Sequence, residues 1–164
     1  MSTASKYISE FIESIKYNKQ LVLFAQREYI NSTFGEYNQI DNIEDTNVPW
    51  DWDHIYPESW VYQMKNCERV IRDWNGTIGN IRAISLEQNR SENNNISPKT
   101  RLAELEIRKK SFVLEKDWQY WEQISDRIYM KELSKIHYRA IVTRMIEIYQ
   151  KYWDDLKIYE LIKS

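Results

Sequence analysis

The sequence predicts an α+β fold, mostly helical, with a two-stranded antiparallel hairpin embedded in flanking α-helices. Three observations lead there. Apolar residues recur at three- and four-residue intervals through most of the chain, as they do along one face of a helix. Glycine and proline are scarce, three of each in 164 residues, which disfavours a loop-rich β-sandwich. Two short segments, 50–56 and 80–85, depart from the helical pattern and read as strands.

The length suits a single domain with a real core. An aromatic content of 14% is more apolar area than a disordered chain carries, so the chain folds. The formal net charge of −2 provides no global basic field, and any nucleic-acid contact needs locally concentrated positive charge. One cysteine, Cys67, excludes an internal disulfide and a cysteine-based zinc site; it fits a reducing cytoplasm and reads as a small core residue. No stretch approaches the roughly 20 apolar residues that span a bilayer, and no signal-peptide pattern opens the chain. The expected location is cytoplasmic, without membrane contact.

Taken in order, residues 5–17 place Ile8, Phe11, Ile12 and Ile15 at helical spacing, and Asn18 interrupts them. Gln20 to Asn31 reads as a second helix, with Asn31, Ser32 and Gly35 as stop and turn residues. Residues 36–49 carry Glu36, Asp41, Glu44, Asp45 and Pro49, the composition of a solvated loop. Trp50 to Tyr56 alternates large and polar side chains as a strand does, and Pro57 ends pairing. From Ser59, the positions Trp60, Met64, Cys67, Val70, Ile71 and Trp74 form one helical face that Asn75-Gly76 terminates. After Gly79, Asn80 to Ser85 is the second strand. Ser85 or Leu86 opens a short helix carrying Asn89, with Glu87 in its first turn, where a negative charge suits the helix dipole.

Ser97-Pro98 is a helix start: a hydroxyl cap followed by proline at the first helical position. This helix points Leu102, Leu105 and Ile107 inward. Its run of Lys99, Arg101, Arg108, Lys109 and Lys110 reads as a solvated face or, being next to the strand region, as a phosphate contact. Residues 112–130 bring Phe112, Val113, Trp118, Tyr120, Trp121 and Ile124 to the core. From Lys131 to about Tyr159 the repeat of Leu133, Ile136, Ala140, Ile141, Met145, Ile148, Tyr152 and Leu156 forms a long amphipathic helix, with His137 packed on or beside its apolar stripe.

The chemistry concentrates in WDWDHIYPESW (50–60) and GTIGNIRAISLEQNR (76–90). Phosphodiester hydrolysis needs a base that takes a proton from water and positive charge that stabilises the phosphoryl and leaving oxygens. A histidine with an unperturbed pKa of about 6.5 meets the first need. A hard divalent cation on oxygen ligands meets the second. His54 is the candidate base. Asp53 and, across the site, Asn89 are candidate metal ligands, and the Asn80 amide can pin the turn that carries His54. As neighbours on a strand, Asp53 and His54 point to opposite faces, so one site requires the strand to bend or end there.

Asp53-His54-Ile55-Tyr56-Pro57, then Asn80 before an apolar strand, then a helix bearing Asn89, resembles the His-Asn-His (HNH) nucleases with a ββα-metal core. The DHIYPESW and IGNIRAISLEQNRS segments are most similar to the C-terminal nuclease domain of GmrSD-type modification-dependent restriction proteins. The resemblance implies one domain: a helical flank over 1–49, a ββα-metal core over 50–95 and a helical flank over 96–164. It implies a divalent-metal-dependent endonuclease that hydrolyses DNA, the effector of a restriction or anti-phage defence protein. His54 would be the general base, Asn80 would orient its loop, and Asp53 and Asn89 would hold one Mg²⁺ or Mn²⁺. A lysine often follows the last ligand by three residues; Glu92 stands there in this chain, which leaves Arg90, with Lys99 and Arg101, as candidate phosphate contacts. No nucleotide-binding loop is present, so the implied partners besides DNA are an NTPase-like N-terminal domain or a separate targeting subunit. The alternative is a non-catalytic helical interaction module with a degenerate core.

Overall fold

In the computed structural model, residues 3–35, 48–91, 95–128 and 131–162 are described. The acidic residues Glu36, Asp41, Glu44 and Asp45, together with Glu92, lie outside them. Strand β1 (Trp50–His54) pairs antiparallel with β2 (Ile81–Ser85), in a register that sets Asp53 opposite Arg82 and His54 opposite Ile81. Helices surround this hairpin, so the chain is mostly helical with one small sheet among the described residues.

On the N-terminal side lie α1 (Thr3–Ile15), α2 (Lys19–Ala25) and α3 (Arg27–Phe34). Asn18 caps α2, its side chain accepting from the Gln20 N–H at 3.2 Å. Among the α1 residues whose side chains are described, 6–15, only Ile15 is buried; Ile8 and Phe11 of the expected apolar stripe are exposed. The single helix expected over 20–31 is divided at Gln26, for a tertiary reason. The Gln26 amide accepts from the Ala83 N–H at 2.9 Å and donates to the Ala83 carbonyl at 3.0 Å, acting on the free edge of β2 as a third strand's backbone would. Tyr29 Oη accepts from the Ser85 N–H on the same edge. An unpaired edge is a liability, and α2 and α3 cover this one.

The helix expected over 59–75 is also divided, into α4 (Glu58–Gln63) and α5 (Arg69–Asn75). Met64 is extended (ψ 107°), as is Glu68 (ψ 142°), so the chain unwinds between them. Trp60, Met64, Cys67 and Ile71 are nevertheless all buried, so the apolar pattern reported burial and not continuity. Burial pushes the Cys67 thiol pKa up, consistent with a packed, unreactive cysteine.

After β2 comes α6 (Leu86–Ser91), which carries Asn89. Ser97 caps α7 (Pro98–Arg101), accepting from the Thr100 N–H at 3.2 Å. The helix then breaks before α8 (Leu105–Lys110), because Arg108 Nη1 donates to the carbonyls of Leu102 and Ala103 at 2.8 and 2.7 Å. The new helical phase buries Arg108 and leaves Leu105, expected inward, exposed. A short 3₁₀ turn leads into α9 (Trp118–Gln123), whose Trp121 is fully buried. The long helix α10 (Lys131–Asp155) buries Ala140, Ile141, Met145 and Ile148, and α11 (Ile158–Ile162) follows it. No helix among the described residues is long and apolar enough to cross a membrane.

Helix α10 also sets the entry into β2. A Cβ on Gly79 would lie 2.1 Å from the Ile141 carbonyl oxygen, so only glycine fits this approach. Three residues along, the fully buried Arg144 donates to the carbonyls of Ile78, Gly79 and Ile81 at 2.8–3.0 Å, and to Ser111 O at 2.8 Å. Burial first, and Arg82 second, pull the Arg144 pKa down to about 9.

Candidate functional site

His54 is the last residue of β1. The chain turns there into α4, and the turn resolves the strand-parity problem: Asp53 and His54 both line one cavity of about 420 Å³. Trp52, Glu58, Tyr62, Asn89 and Arg101 contribute to the same wall. Elements remote in sequence, β1, α4, α6 and α7, therefore meet at the end of the hairpin.

The turn is held by Asn80, which is fully buried. Its Oδ1 accepts from the Tyr56 N–H at 2.7 Å, and its Nδ2 donates to the Tyr56 carbonyl at 3.0 Å. The Asn80 carbonyl accepts from the Ile55 N–H at 2.9 Å. Asn80 Nδ2 also donates to the Asn75 carbonyl at 2.8 Å, tying the end of α5 to the same point. With its amide used on both ends, Asn80 fixes the two residues after His54 and does not face the cavity. Beneath the turn lies His137, fully buried, its ring edge-on to Tyr56 at 4.8 Å. Burial lowers its pKa to about 3, so it is a neutral packing residue and not a proton carrier for the cavity.

The metal expectation requires correction. Asp53 Oδ2 accepts from Arg82 Nε at 2.8 Å and from Arg101 Nη1, and both guanidinium groups are almost wholly buried. One carboxylate flanked by two cations is already over-compensated, and a divalent cation placed on it would meet repulsion. Asn89 turns its Nδ2 toward Asp51, donating to Oδ2 at 2.9 Å. Among the described residues, no group of three or more His, Cys, Asp or Glu forms an arrangement that could hold a metal ion. The Mg²⁺ or Mn²⁺ site expected at Asp53 and Asn89 is thus not what these residues build.

Burial is the largest influence on the His54 imidazole and pushes its pKa below the usual value. Glu58 and Asp53 oppose that shift; Lys19 and Arg101 reinforce it. A half-buried imidazole with a lowered pKa is neutral at pH 7 and can accept a proton from a group in the cavity.

Of the three candidate phosphate contacts, Arg101 lines the cavity. Arg90 is exposed on α6, and Lys99 pairs with Glu122 at 3.2 Å; neither lines the cavity. Trp52 is part of the wall, whereas Trp50 and Trp60 are packed in the interior. Sequence reasoning missed Asp51, Arg82, Glu58 and Tyr62. For Asp51 and Arg82 a signal existed: Asp51 shares strand parity with Asp53, and a charged residue inside the apolar IRAIS strand requires a buried partner.

Together, fold and site define a mostly helical protein with a small antiparallel hairpin, in which His54, Asp53, Arg101 and Asn89 line one cavity and Arg82 braces Asp53 from behind it. No protein-family model matches the chain, and no curated protein or solved structure matches it.

Proposed function

We propose that the chain is a phosphodiester hydrolase of the His-Asn-His endonuclease class acting on DNA, with His54 as general base. The observation that carries this reading is the placement of a half-buried His54 in the same cavity as Arg101 and Asn89. In the step proposed, His54 removes a proton from water as the water oxygen bonds to phosphorus. The bond from phosphorus to the 3′ oxygen breaks, and that oxygen leaves with a proton from solvent. The Arg101 guanidinium, almost wholly buried behind the cavity wall and bonded to Asp53, contributes positive potential to the phosphoryl oxygens and no direct contact. Asn80 acts on the loop after His54, and Asn89 contributes a neutral amide to the wall. The sequence resemblance of DHIYPESW and IGNIRAISLEQNRS to restriction nuclease domains supports a defence role, with a targeting domain or subunit supplying the DNA affinity that a net charge of −2 does not.

A second reading has its own observation. The Arg82–Asp53–Arg101 cluster is a structural device in its own right, and it is what a non-catalytic helical module with a degenerate core would keep. Plasmid DNA and a structured RNA, each incubated with the wild-type chain and with His54→Ala in parallel buffers containing EDTA or Mg²⁺, separate the two. The nuclease reading expects DNA cleavage that falls by about 10²-fold or more in the variant, the usual contribution of a general base. Cleavage equal in the two proteins, or absent throughout, leaves the scaffold reading standing. Preferential cleavage of RNA would change the substrate and retain the chemistry.

A further inference from the structure

We propose that a second cavity, on the far side of α4 from His54, takes one unstacked nucleobase of the substrate strand, with Tyr62 as its stacking platform and Arg72 on the adjoining phosphate. This inference rests on the nuclease reading and assigns the binding mode of that same site. Between α4 and α5 lies a cavity of about 420 Å³. It shares Glu58 and Tyr62 with the cavity that His54 lines, so the two adjoin across α4. Its apolar wall is made by Val61 and Met64, and Arg72 stands at its rim. At Gly76, on another wall, nothing lies within 4 Å of where a side chain would start, so that side is open.

Tyr62 is the most exposed large hydrophobic residue in the described chain, at 80% of its surface, and it stands on the ridge between the cavities. A tyrosine on a ridge between two clefts has a free ring face for a base, and stacking on it tolerates any base. Arg72 is exposed and forms no ion pair with a carboxylate among the described residues, unlike Arg69 on the same helix, which pairs with Asp73 at 3.1 Å. Glu58, within 3.5 Å of the Tyr62 hydroxyl, accepts hydrogen bonds from base amino groups. It thereby favours the base on the α4 side, with the adjoining phosphate at Arg72. A base reaches such a cavity only when it is outside a duplex stack. The substrate at this site is therefore a single strand, or a locally opened duplex.

The test is fluorescence anisotropy of a labelled eight-nucleotide single strand and of the matching duplex. It uses the His54→Ala protein, in which cleavage does not interfere. Tyr62 and Arg72 are exposed, so their variants keep the fold. Tyr62→Ala should weaken single-strand binding about tenfold, with Tyr62→Phe close to the parent. Arg72→Gln should weaken it as well and reduce the salt slope by about 0.7. The duplex should bind more weakly than the single strand and respond little to Tyr62→Ala. Binding by Tyr62→Ala and Arg72→Gln equal to the parent overturns the subsite, and so does the absence of oligonucleotide binding. Tyr62-dependent binding together with cleavage indifferent to His54→Ala keeps the subsite and overturns the His54 chemistry; the reverse pattern overturns the subsite alone.

Discussion

Asp53 and Arg82 face each other across the hairpin and are joined by a 2.8 Å hydrogen bond between Oδ2 and Nε, inside a site where Arg101 binds the same oxygen. The carboxylate holds two buried guanidinium groups, so its removal has a cost well beyond that of a surface charge. Asp53→Asn should destabilise the chain by about 3–5 kcal/mol, the usual penalty for leaving buried charges unpaired. The urea midpoint of unfolding measures this. A loss below about 1 kcal/mol, the range of a surface ion pair, would show that the cluster is solvated and weak.

The Asp51–Asn89 bond joins β1 to α6 at 2.9 Å and fixes which end of the Asn89 amide turns away from β1. The pair should therefore be coupled. A double-mutant cycle on Asp51→Ala and Asn89→Ala should give an interaction energy of about 1 kcal/mol in stability. If the cavity carries the chemistry, Asp51→Ala should also lower cleavage, although Asp51 does not line the cavity. Strictly additive variants would mean that Asn89 is held by something else.

The hairpin was legible because its signals are local: alternation in WDWDHIY, glycine before IRAIS, and a proline that stops pairing. The helix interruptions at Gln26, between Met64 and Glu68, and at Leu102 to Glu104 were not. The break at Gln26 coincides with a bond to a partner 57 residues away, the Gln26 amide on Ala83, and the break at Leu102 with a local side-chain bond, Arg108 on the carbonyls of Leu102 and Ala103, that helical periodicity does not register. Helical periodicity correctly marks Trp60 and Ile71 as interior while saying nothing about the unwinding between them. The cavity that His54 and Asn89 both line joins two segments that only the resemblance to the restriction nucleases had linked. The fate of Asp53 did not, because a strand residue's cross-strand neighbour depends on register. Arg82 falls opposite it only when His54 pairs with Ile81.

His137 makes acid sensitivity a property of the core. Its pKa is about 3 in the fold, against about 6.5 when unfolded, so between these values the unfolded chain binds more protons. Stability from this residue is complete above about pH 6.5 and is lost as pH falls toward 3. Between pH 7.5 and 5.0 the loss should be about 2 kcal/mol. It should be absent from His137→Gln, whose lower stability at neutral pH should change less with pH. Urea titrations of both proteins at the two pH values give the comparison. Parallel stability losses would mean that protonation of His137 does not contribute.

His54 should set the acidic limb of the rate profile, and its neighbours should move that limb in opposite directions. Because burial lowers its pKa, the base remains unprotonated below the pH at which a free imidazole titrates, and cleavage should persist below about pH 6.5. Glu58 raises the His54 pKa, so Glu58→Gln should move the limb to lower pH. Lys19 lowers it, and its ammonium lies 5.0 Å from the ring of Trp52, a wall residue; Lys19→Gln should move the limb to higher pH. Single-turnover cleavage measured across pH 4.5–8 reads both shifts, which lie on the pH axis and are separate from any loss of affinity. Both residues are exposed, so neither substitution threatens the fold. Limbs that coincide in all three proteins would mean that the titrating group is not His54, since no other imidazole in the chain faces these two charges; His137 is sealed beneath Tyr56.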